Sequence, residues 1–541
     1  MPELLHQSIS EHARHTPDAT ALLFKKESIS YAQLQDEVSA AATGLLALGI
    51  NAGERVAVYL PKQPETVYGI FGALCAGASF VPINPLLKPR QVAYILSDCN
   101  VRVLITSGQR LKLLEDILEA CPDLHTVVVA EDTVPTLEGK TGQTLIPWNE
   151  LHAEPGTGAQ LVPHCRIDTD MAAILYTSGS TGQPKGVVLS HRNMVAGANS
   201  VASYLGNTPQ DRLLAVLPLS FDAGLSQLTT AFSVGASVVL MDYLLPRDVI
   251  RAVCRYQVTG LAAVPPLWNQ LVGLEWPEEA VQSLRYTTNT GGAMPVATTK
   301  TLQQALPDTK IFLMYGLTEA FRSTYLPPDQ VDIRPESMGK AIPNAEILVI
   351  NEDGQECKPG EPGELVHRGA LVAMGYWNDP EKTAERFKPC PGQLPELPGS
   401  ELAVWSGDQV KKDEDGYLYF ISRKDEMIKT SGYRVSPTEV EEVVYSSGLA
   451  AGVVALGLPH PSLGQAILLL VTHNAENAHN AALQDDVITH CRRELPNFMV
   501  PLAVIIRDTL PHNQNGKIDR KALSGEYQDL FLQDKEQEKK Q

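Results

Sequence analysis

The stretch Met171–Met194, MAAILYTSGSTGQPKGVVLSHRNM, decides how the rest of the chain is interpreted. Its first apolar run ends at Tyr176 and its second begins at Val187, and the loop between them is rich in glycine, serine and threonine and carries one lysine near its end. Glycines let backbone N–H groups approach an anion closely, hydroxyls add further donors, and the lysine supplies positive charge. The pattern predicts a strand, a loop that holds the oxygens of a triphosphate, and a second strand-like element.

Two other interpretations of this loop are weaker. A solvated linker is seldom clamped between two apolar, strand-like runs. The P-loop of nucleoside triphosphatases needs Gly-Lys-Ser/Thr at the start of a helix, whereas Gln183 and Pro184 precede the lysine here and Gly186 follows it. The segment YTSGSTGQPKG instead resembles the phosphate-loop signature of the adenylate-forming ligases, which include acyl-CoA synthetases, carrier-protein loading domains and luciferases.

Composition and charge limit the possible functions. The chain has 541 residues, 44% of them apolar, which predicts two to four domains or subdomains. A formal net charge of −19 without a broad basic patch argues against a nucleic-acid partner. The N-terminal segment lacks the basic start and apolar run of a secretion signal, and the longest apolar stretch, 449–471, is interrupted by prolines and polar residues. We therefore expect a cytoplasmic protein without stable membrane insertion, and its oligomeric state stays open.

The cysteines point to neither disulfides nor a metal site. The eight are scattered, with no C-x-x-C pair and no histidine at ligand spacing. We expect them to be reduced packing residues.

Alternating helix and strand periods predict an α/β fold of layered βα sheets. Helical spacing at 31–48 and 66–76 alternates with strands at 55–60 and 79–82, and similar units continue from 213 to 264. Short strands broken by Gly and Pro follow, and then a segment typical of a compact α+β domain. The predicted boundaries are 1–422 for the large N-terminal AMP-binding (adenylation) domain with a β-rich subdomain at about 336–422, 423–425 for a hinge, 426–524 for a mobile C-terminal domain and 525–541 for a solvated tail.

The resemblance covers the chain from its first helix to Leu523, because further signatures of the family follow in the family's order. They are Asn289-Thr290-Gly291-Gly292-Ala293, Tyr315-Gly316-Leu317-Thr318-Glu319, Gly363-Glu364-Leu365, Trp405-Ser406-Gly407-Asp408, Ser422-Arg423-Lys424-Asp425 and Asn515-Gly516-Lys517-Ile518-Asp519-Arg520. Any one of them alone would be an ordinary turn. Together with the phosphate loop, they identify the chain as a member of the adenylate-forming superfamily.

The resemblance implies ATP and Mg²⁺, because the family joins a carboxylate to the α-phosphate through a highly negative transition state. Glu319 would hold Mg²⁺ and Thr318 would contact a phosphate. Asp408 would accept bonds from the ribose hydroxyls with Arg423 nearby, and Ser406 replaces the family's usual threonine, a hydroxyl for a hydroxyl. The implied triphosphate residues are Thr177, Ser178, Gly179, Ser180, Thr181, Gly182 and Lys185. The implied adenosine residues are Gly291, Gly292, Ala293, Tyr315 and Gly316.

Near the C-terminus the resemblance implies a catalytic lysine and a moving domain. Lys517 would bridge the substrate carboxylate and the α-phosphate, although a lysine in a polar turn is by default a solvated surface charge. The C-terminal domain would then rotate about Asp425, for which a capping or loop aspartate is the alternative. After rotation, Ser431, Gly432 and Tyr433 would line a tunnel for pantetheine.

The substrate residues are Phe221, Asp222 and Arg322, and they leave alternatives open. Phe221-Asp222 resembles the Phe-Asp of amino-acid-activating domains, where the aspartate pairs with an α-ammonium group. Asp222 could instead cap a helix that starts near Gly224. Arg322 could pair with Asp222 or receive a second carboxylate of the substrate. The acid is therefore either amino-bearing or a plain or hydroxylated acyl acid.

The leading function is an ATP-dependent acid–thiol ligase that makes an acyl-adenylate and then a thioester with CoA or with the phosphopantetheine of a carrier protein. An amino-acid-loading ligase is the alternative, and a luciferase-like oxygenase is a remote one. A non-enzymatic binding module would be expected to lack Lys517 or Glu319. The segments YGLTEAFRSTYLPPD, NTGGAMP and GALVAMGYWNDPEKTAERF resemble the acyl-CoA ligases associated with bacterial exosortase and exopolysaccharide gene clusters.

Overall fold

The computed structural model describes residues 2–137, 142–151, 162–177, 184–394, 396–423, 426–430, 433–461, 463–474, 482–513 and 517–532. Helices and strands alternate along most of this length, which confirms the predicted α/β class. The α-helices are Gln7–His15, Tyr31–Ala47, Pro64–Ala76, Pro89–Asp98, Gly108–Leu114, Trp148–Leu151, His191–Leu205, Asp222–Val234, Pro246–Tyr256, Pro265–Leu271, Glu278–Ser283, Val296–Ala305, Pro380–Arg386, Pro437–Ser446, Leu483–Glu494 and Arg520–Glu526. Short 3₁₀ turns lie at Glu115–Ala120, Thr318–Ala320, Pro328–Gln330 and Asn497–Met499.

Two large, mainly parallel sheets form the N-terminal part. The eight-stranded sheet runs in the order Gly375–Tyr376, Lys185–Ser190, Met171–Thr177, Ser79–Pro82, Arg55–Tyr59, Val101–Thr106, Thr126–Val129, Thr144–Pro147. The nine-stranded sheet runs in the order Lys340–Ala341, Thr324–Leu326, Lys310–Tyr315, Tyr286–Asn289, Gly260–Ala263, Arg212–Ala215, Ser237–Leu240, Thr20–Phe24, Glu27–Ser30. Antiparallel strands occur at the edges of both sheets. The parallel centre places many strand ends at one edge, where loops can build a site.

Two smaller sheets follow. The strands Ala345–Ile350, Gly363–Gly369, Leu402–Lys412 and Phe387–Pro389 pair in that order, and Leu418–Arg423 pairs with Leu402–Lys412. The C-terminal sheet has the order Tyr433–Val435, Ile428–Thr430, Gly464–Thr472, Gly452–His460, with Ala503–Arg507 beside Gly464–Thr472. These sheets agree with the predicted β-rich subdomain and α+β domain, whereas the boundary residues stay predictions.

The two large sheets share one core. Helix Pro64–Ala76 is buried on nearly every side, and Phe71 of this helix packs edge-on against Phe232 with ring centroids 5.5 Å apart. Burial on all sides explains why the segment is apolar throughout instead of amphipathic. The same core cluster takes in Phe80 of the eight-stranded sheet and Leu240 of the nine-stranded sheet.

A buried lysine ties the carboxyl ends of the two sheets together. The Nζ of Lys62, which follows a strand of the eight-stranded sheet, donates to the carbonyl oxygen of Val216 at 2.8 Å and lies 2.9 Å from Oδ1 of Asp242. Burial lowers the pKa of Lys62, and Asp242 acts in the opposite direction. A buried ammonium is tolerated only when it is paired in this way. The lysine therefore fixes the spacing between the edges that carry the site.

Most predicted elements agree with the structure within a few residues, but one open alternative, a capping role for Asp222, and one expectation, about the cysteines, are wrong. The helix expected near Gly224 begins at Asp222, and Asp222 makes no capping bond because Phe221 occupies the N-cap. All eight cysteines are free, but Cys165 is exposed and so is not a packing residue. None of the helices in the described ranges has the length and apolar character needed to cross a membrane.

Two buried histidines, His191 and His367, and the half-buried His6 are held neutral. Burial lowers the pKa of His6 and of His191 to about 4 and that of His367 to about 3. His191 accepts a hydrogen bond at Nδ1 from the backbone N–H of Leu5 at 3.2 Å, so protonation of that nitrogen would also break this bond.

These histidines predict a loss of stability in mild acid. In the unfolded chain they take up protons near pH 6.5, but in the folded chain only near pH 4, so the unfolded state binds more protons between these values. We expect the free energy of unfolding to be unaffected by them above pH 7 and to fall by about 3 kcal/mol per imidazole as the pH drops from 6.5 to 4. Urea unfolding at pH 7.5 and at pH 5 measures this. His191→Asn keeps an acceptor near Nδ1 but cannot titrate, so a variant with the full wild-type acid sensitivity would contradict the assignment.

Candidate active site

Two neighbouring parallel strands deliver the first part of the site. Strand Tyr286–Asn289 ends just before Gly291, and its neighbour Lys310–Tyr315 ends at Tyr315. Their carboxyl ends lie at one sheet edge, so the two predicted adenosine segments are adjacent. Gly291 has φ +80°, a conformation that favours glycine, and the Nδ2 of Asn289 holds the turn by donating to the carbonyl oxygen of Gly292 at 2.9 Å. Gly292 and Ala293 are exposed or partly exposed at this edge.

The structure brings Tyr315, Asp408 and Arg423 together. The Tyr315 hydroxyl donates to Oδ2 of Asp408 at 2.5 Å, and Nε of Arg423 lies 3.3 Å from Oδ1. Asp408 and Arg423 are also directly paired across two antiparallel strands. Ser406 donates to the carbonyl oxygen of Leu365 at 2.7 Å and accepts from the backbone N–H of Asp408, so its hydroxyl orders the turn that presents the carboxylate.

A lysine from the C-terminal part acts on the same carboxylate. Burial raises the pKa of Asp408, while the charges of Arg423 and Lys517 and the Tyr315 hydrogen bond lower it. Lys517 is exposed, and its backbone N–H donates to Oδ1 of Asn513 at 3.1 Å. Three residues further on, Arg520 makes two bonds of 2.6 and 2.8 Å to the buried carboxylate of Glu441. The turn that carries Lys517 is thus anchored within its own domain while its charge reaches the large one.

Glu319 lies beside an aromatic residue that sequence reasoning missed. The Tyr376 hydroxyl donates to Oε1 of Glu319 at 2.6 Å. The Nζ of Lys185 lies over the face of the Tyr376 ring, 5.3 Å from the ring centroid. Burial and the charge of Glu319 raise the pKa of Tyr376, so the hydroxyl keeps its proton. Thr318 shares the short 3₁₀ turn with Glu319. The other oxygen of the Glu319 carboxylate, Oε2, can then coordinate a cation. A signal for Tyr376 exists in the sequence, since the tyrosine lies inside the segment GALVAMGYWNDPEKTAERF.

Positive charge concentrates where the triphosphate is predicted. Lys185 begins the strand Lys185–Ser190 opposite Thr177, and its pKa is lowered by burial and by the nearby charges of Lys382 and Arg386. Arg386 donates to the carbonyl oxygen of Trp405 at 3.1 Å. A side chain at Gly407, where φ is +73°, would place its Cβ against the Arg386 guanidinium, so only glycine fits there. Arg386 and Lys382 were not singled out from the sequence: both lie in the segment GALVAMGYWNDPEKTAERF, but nothing local marks either cation as part of a phosphate site.

Several predicted residues are not tested by the geometry. Ser178, Gly179, Ser180, Thr181 and Gly182 of the phosphate loop lie outside the described residues, as do Asp425, Ser431 and Gly432. Tyr433 begins the strand Tyr433–Val435, and its side chain is outside the described part.

One of the three predicted substrate residues, Arg322, lines a small cavity, and the other two lie at the start of the helix beside it. Nη1 of Arg322 lies 2.8 Å from Oδ2 of Asp222. Phe221 directly precedes helix Asp222–Val234, which forms one wall through Ala223 and its neighbours. Arg322 was expected to pair either with Asp222 or with a second carboxylate of the substrate, and in the structure it pairs with Asp222.

The Tyr376 hydroxyl predicts a magnesium phenotype. Tyr376→Phe keeps the ring that packs on Phe387 and faces Lys185, but removes the bond that orients Glu319. A hydrogen bond to a charged group contributes about 1.5 kcal/mol or more, so we expect the Mg²⁺ concentration for half-maximal pyrophosphate exchange to rise about tenfold. Tyr419→Phe removes a comparable hydroxyl–carboxylate bond, to Asp413, and should leave the Mg²⁺ dependence unchanged. An unchanged Mg²⁺ dependence in Tyr376→Phe would rule out the positioning role.

Two protein-family profiles match the chain. The profile of the AMP-binding enzyme family matches residues 9–377, and that of the AMP-binding enzyme C-terminal domain matches residues 439–517. The chain is 33% identical to an L-proline–[L-prolyl-carrier protein] ligase of Streptomyces coelicolor, over 92% of each protein. It is 30% identical to a long-chain-fatty-acid–CoA ligase of Salmonella typhimurium, over 96% of this chain and 95% of that one.

Other matches are to much longer proteins or to solved structures. The chain spans 10% of a linear gramicidin synthase polypeptide and 8% of tyrocidine synthase 3, both of Brevibacillus parabrevis, at 28% and 30% identity over 96% and 97% of its own length. An anthranilate CoA ligase in complex with anthranoyl-AMP superimposes with a TM-score of 0.84 at 27% identity, covering 97% of this chain and 98% of that one. An o-succinylbenzoate CoA synthetase of Bacillus subtilis, in complex with ATP and magnesium ion, gives a TM-score of 0.79 at 26% identity, covering 96% and 99%.

Proposed function

Because the chain belongs to the AMP-binding enzyme family, we propose that it is an ATP-dependent acid–thiol ligase. In the first step a carboxylate oxygen of the substrate attacks the α-phosphorus of ATP, the bond to the bridging oxygen breaks, and pyrophosphate leaves. In the second step a thiolate sulfur attacks the acyl carbon and AMP leaves. The products are AMP, pyrophosphate and a thioester.

One observation supports the first step above all others. The Asp408 carboxylate is held by the Tyr315 hydroxyl at 2.5 Å and by Arg423 at 3.3 Å, and the positive charge of Lys517, from the C-terminal part, lowers its pKa. Asp408 can thus serve the ribose, and Lys517 is the cation that we assign to the charge that develops on the α-phosphate.

The residues present fit ATP and Mg²⁺. Asp408, oriented by Tyr315 and Arg423, has the two oxygens needed to accept from vicinal hydroxyls. Lys185, with Lys382 and Arg386 beside it, supplies positive charge for the β- and γ-phosphates. Glu319 offers a hard oxygen ligand of the kind Mg²⁺ prefers, and the bound ion would neutralise phosphate charge. The o-succinylbenzoate CoA synthetase, similar along its whole length, is known in complex with ATP and magnesium ion, which supports this assignment.

CoA is the acceptor that we propose first, and a carrier protein is the second candidate. The match to a CoA ligase over 95% of its length favours CoA as the acceptor. The match to a carrier-protein ligase over 92% of its length supports a carrier protein as the second candidate. The predicted link to exosortase gene clusters and the cytoplasmic location stay predictions.

ATP–pyrophosphate exchange over a broad panel of acids tests the function. We expect acid-dependent exchange without CoA, and acid-dependent formation of AMP and a CoA thioester when CoA is added. Light emission or oxygen consumption would favour the oxygenase alternative. Exchange without thioester formation on CoA, but with loading of a carrier protein, would select the second acceptor. A protein that binds ATP yet exchanges pyrophosphate with none of the acids would contradict the proposal.

A further inference from the structure

A strained turn presents Arg322 to the small cavity that it lines. Phe321 has φ +57° and ψ −55°, and the backbone N–H of Arg322 donates to the carbonyl oxygen of Ala320 at 2.6 Å. These values define a γ-turn of the rare type that costs free energy, and such strain tends to be kept where a side chain must point in one direction. The Phe321 ring is fully buried, and a Cβ added at Gly197 would lie 2.6 Å from it. The ring therefore locks the turn into helix His191–Leu205.

The turn also places Arg322 beside the reacting centre. Arg322 follows Glu319 by three residues, and a Cβ added at Gly316 would lie 3.2 Å from the Cα of Arg322. The backbone of Arg322 therefore packs directly against the Tyr315–Glu319 segment.

The charge of Arg322 is already neutralised. Its side chain is 5% exposed, and Nη1 donates both to Oδ2 of Asp222 at 2.8 Å and to the carbonyl oxygen of Phe321 at 2.9 Å. A second carboxylate on the substrate would have to compete with Asp222 for this guanidinium and would meet a like charge. An α-ammonium group would meet the positive charge of Arg322 beside a carboxylate that already has a partner. A buried, closed ion pair therefore disfavours added charge of either sign.

One donor of Arg322 nevertheless needs an acceptor. Among the described residues, the buried Nε of Arg322 has no hydrogen-bond partner. A buried N–H without a partner costs free energy, which an oxygen of a ligand can recover. The cavity that Arg322 lines is small, about 40 Å³, and its other walls include Val201, Leu213, Ser226, Tyr286 and Met314. This size suits a short acyl group of a few non-hydrogen atoms.

From these observations we infer that the acid is a short acyl acid that carries no second charge and bears a hydroxyl or carbonyl oxygen, which accepts a hydrogen bond from Arg322. Asp222 sets this preference by neutralising the guanidinium, so it selects against charged acids and does not receive an ammonium group. The inference rests on the proposed function, since it names the substrate class of the same site.

Matched acids test the inference. The best acid of the broad panel fixes the chain length, and its parent, hydroxy, amino and dicarboxylic forms are then compared by kcat/KM in pyrophosphate exchange. For four carbons these are butanoate, 3-hydroxybutanoate, 2-aminobutanoate and succinate. We expect the hydroxy acid to exceed the parent by about tenfold or more, as one hydrogen bond to a charged donor allows, and the two charged forms to fall below the parent.

Variants separate the two charges. Asp222→Asn keeps the size of the side chain and frees the guanidinium, so dicarboxylic acids should gain about tenfold or more relative to the hydroxy acid. Arg322→Met should remove the advantage of the hydroxy acid over the parent. The double variant should show neither preference. Asp248→Asn makes the same change in an Asp248–Arg251 pair elsewhere, in which the arginine is exposed, and should leave the ranking as in the wild type.

The outcomes distinguish the inference from the function. Absence of exchange with every acid contradicts the proposed function. Exchange that is fastest with the amino or dicarboxylic form, or equal for parent and hydroxy forms, overturns the inference and leaves the ligase function standing. An unaltered ranking in Asp222→Asn would also overturn it.

Discussion

Lys517→Ala is expected to slow acyl-adenylate formation by about a hundredfold or more, the usual effect of removing one preorganised donor from a developing negative charge. The charge of Lys517 reaches Asp408 in this structure, and the turn that carries it is anchored through Arg520 and Glu441. Pyrophosphate exchange measures the first half reaction directly. Transfer to the thiol from a supplied acyl-adenylate should keep its wild-type rate, because we assign the lysine no part in that step.

A neighbouring lysine provides the control for this prediction. Lys521 is exposed on the next helix, and Lys521→Ala removes the same charge without touching the proposed role. It should leave both half reactions unchanged. Equal losses in the two half reactions of Lys517→Ala would be incompatible with a role confined to adenylation.

Asp425→Pro is expected to slow thioester formation by about a hundredfold or more, while adenylation survives. We propose that the C-terminal domain rotates about this residue, and proline would fix φ at one value. The flanking contacts support the position: Arg423 is paired with Asp408 in the N-terminal domain, whereas Glu426 lies 3.9 Å from Arg520 in the C-terminal one. The residues on the two sides of Asp425 thus contact different parts of the protein.

Single-turnover assays of both half reactions measure this effect. Asp425→Ala removes the same carboxylate but leaves φ free, so it should retain both half reactions. Thioester synthesis at the wild-type rate in Asp425→Pro would show that the rotation, if it occurs, uses another residue.

The residues that sequence reasoning missed share one property. Tyr376, Lys62 and Arg386 lie outside the short nucleotide signatures, although Tyr376 and Arg386 belong to the longer segment GALVAMGYWNDPEKTAERF, and each acts on a partner distant in the chain. The Tyr376–Glu319 bond spans 57 residues, and the bond from Lys62 to Val216 spans 154. A tyrosine or lysine in an ordinary strand or loop gives no sign of which charge it will meet.

The functions of the local motifs, by contrast, could be predicted without the tertiary structure. A run of glycines and hydroxyls between two apolar strands indicates an anion site because backbone conformation and donor chemistry are properties of the segment itself. For the same reason the helical and strand periods predicted most elements of the fold, and the order of the signatures identified the family.

What the sequence by itself determined was therefore the α/β class, the family and the residue types for the nucleotide. Only the tertiary structure decided that Asp222 pairs with Arg322, 100 residues away, and that the charge of Lys517 reaches Asp408. Whether a carboxylate is free to bind a substrate depends on which distant strand and loop pack against it, and that packing involves the whole core instead of any one segment. The substrate preference proposed for this protein follows from that pairing.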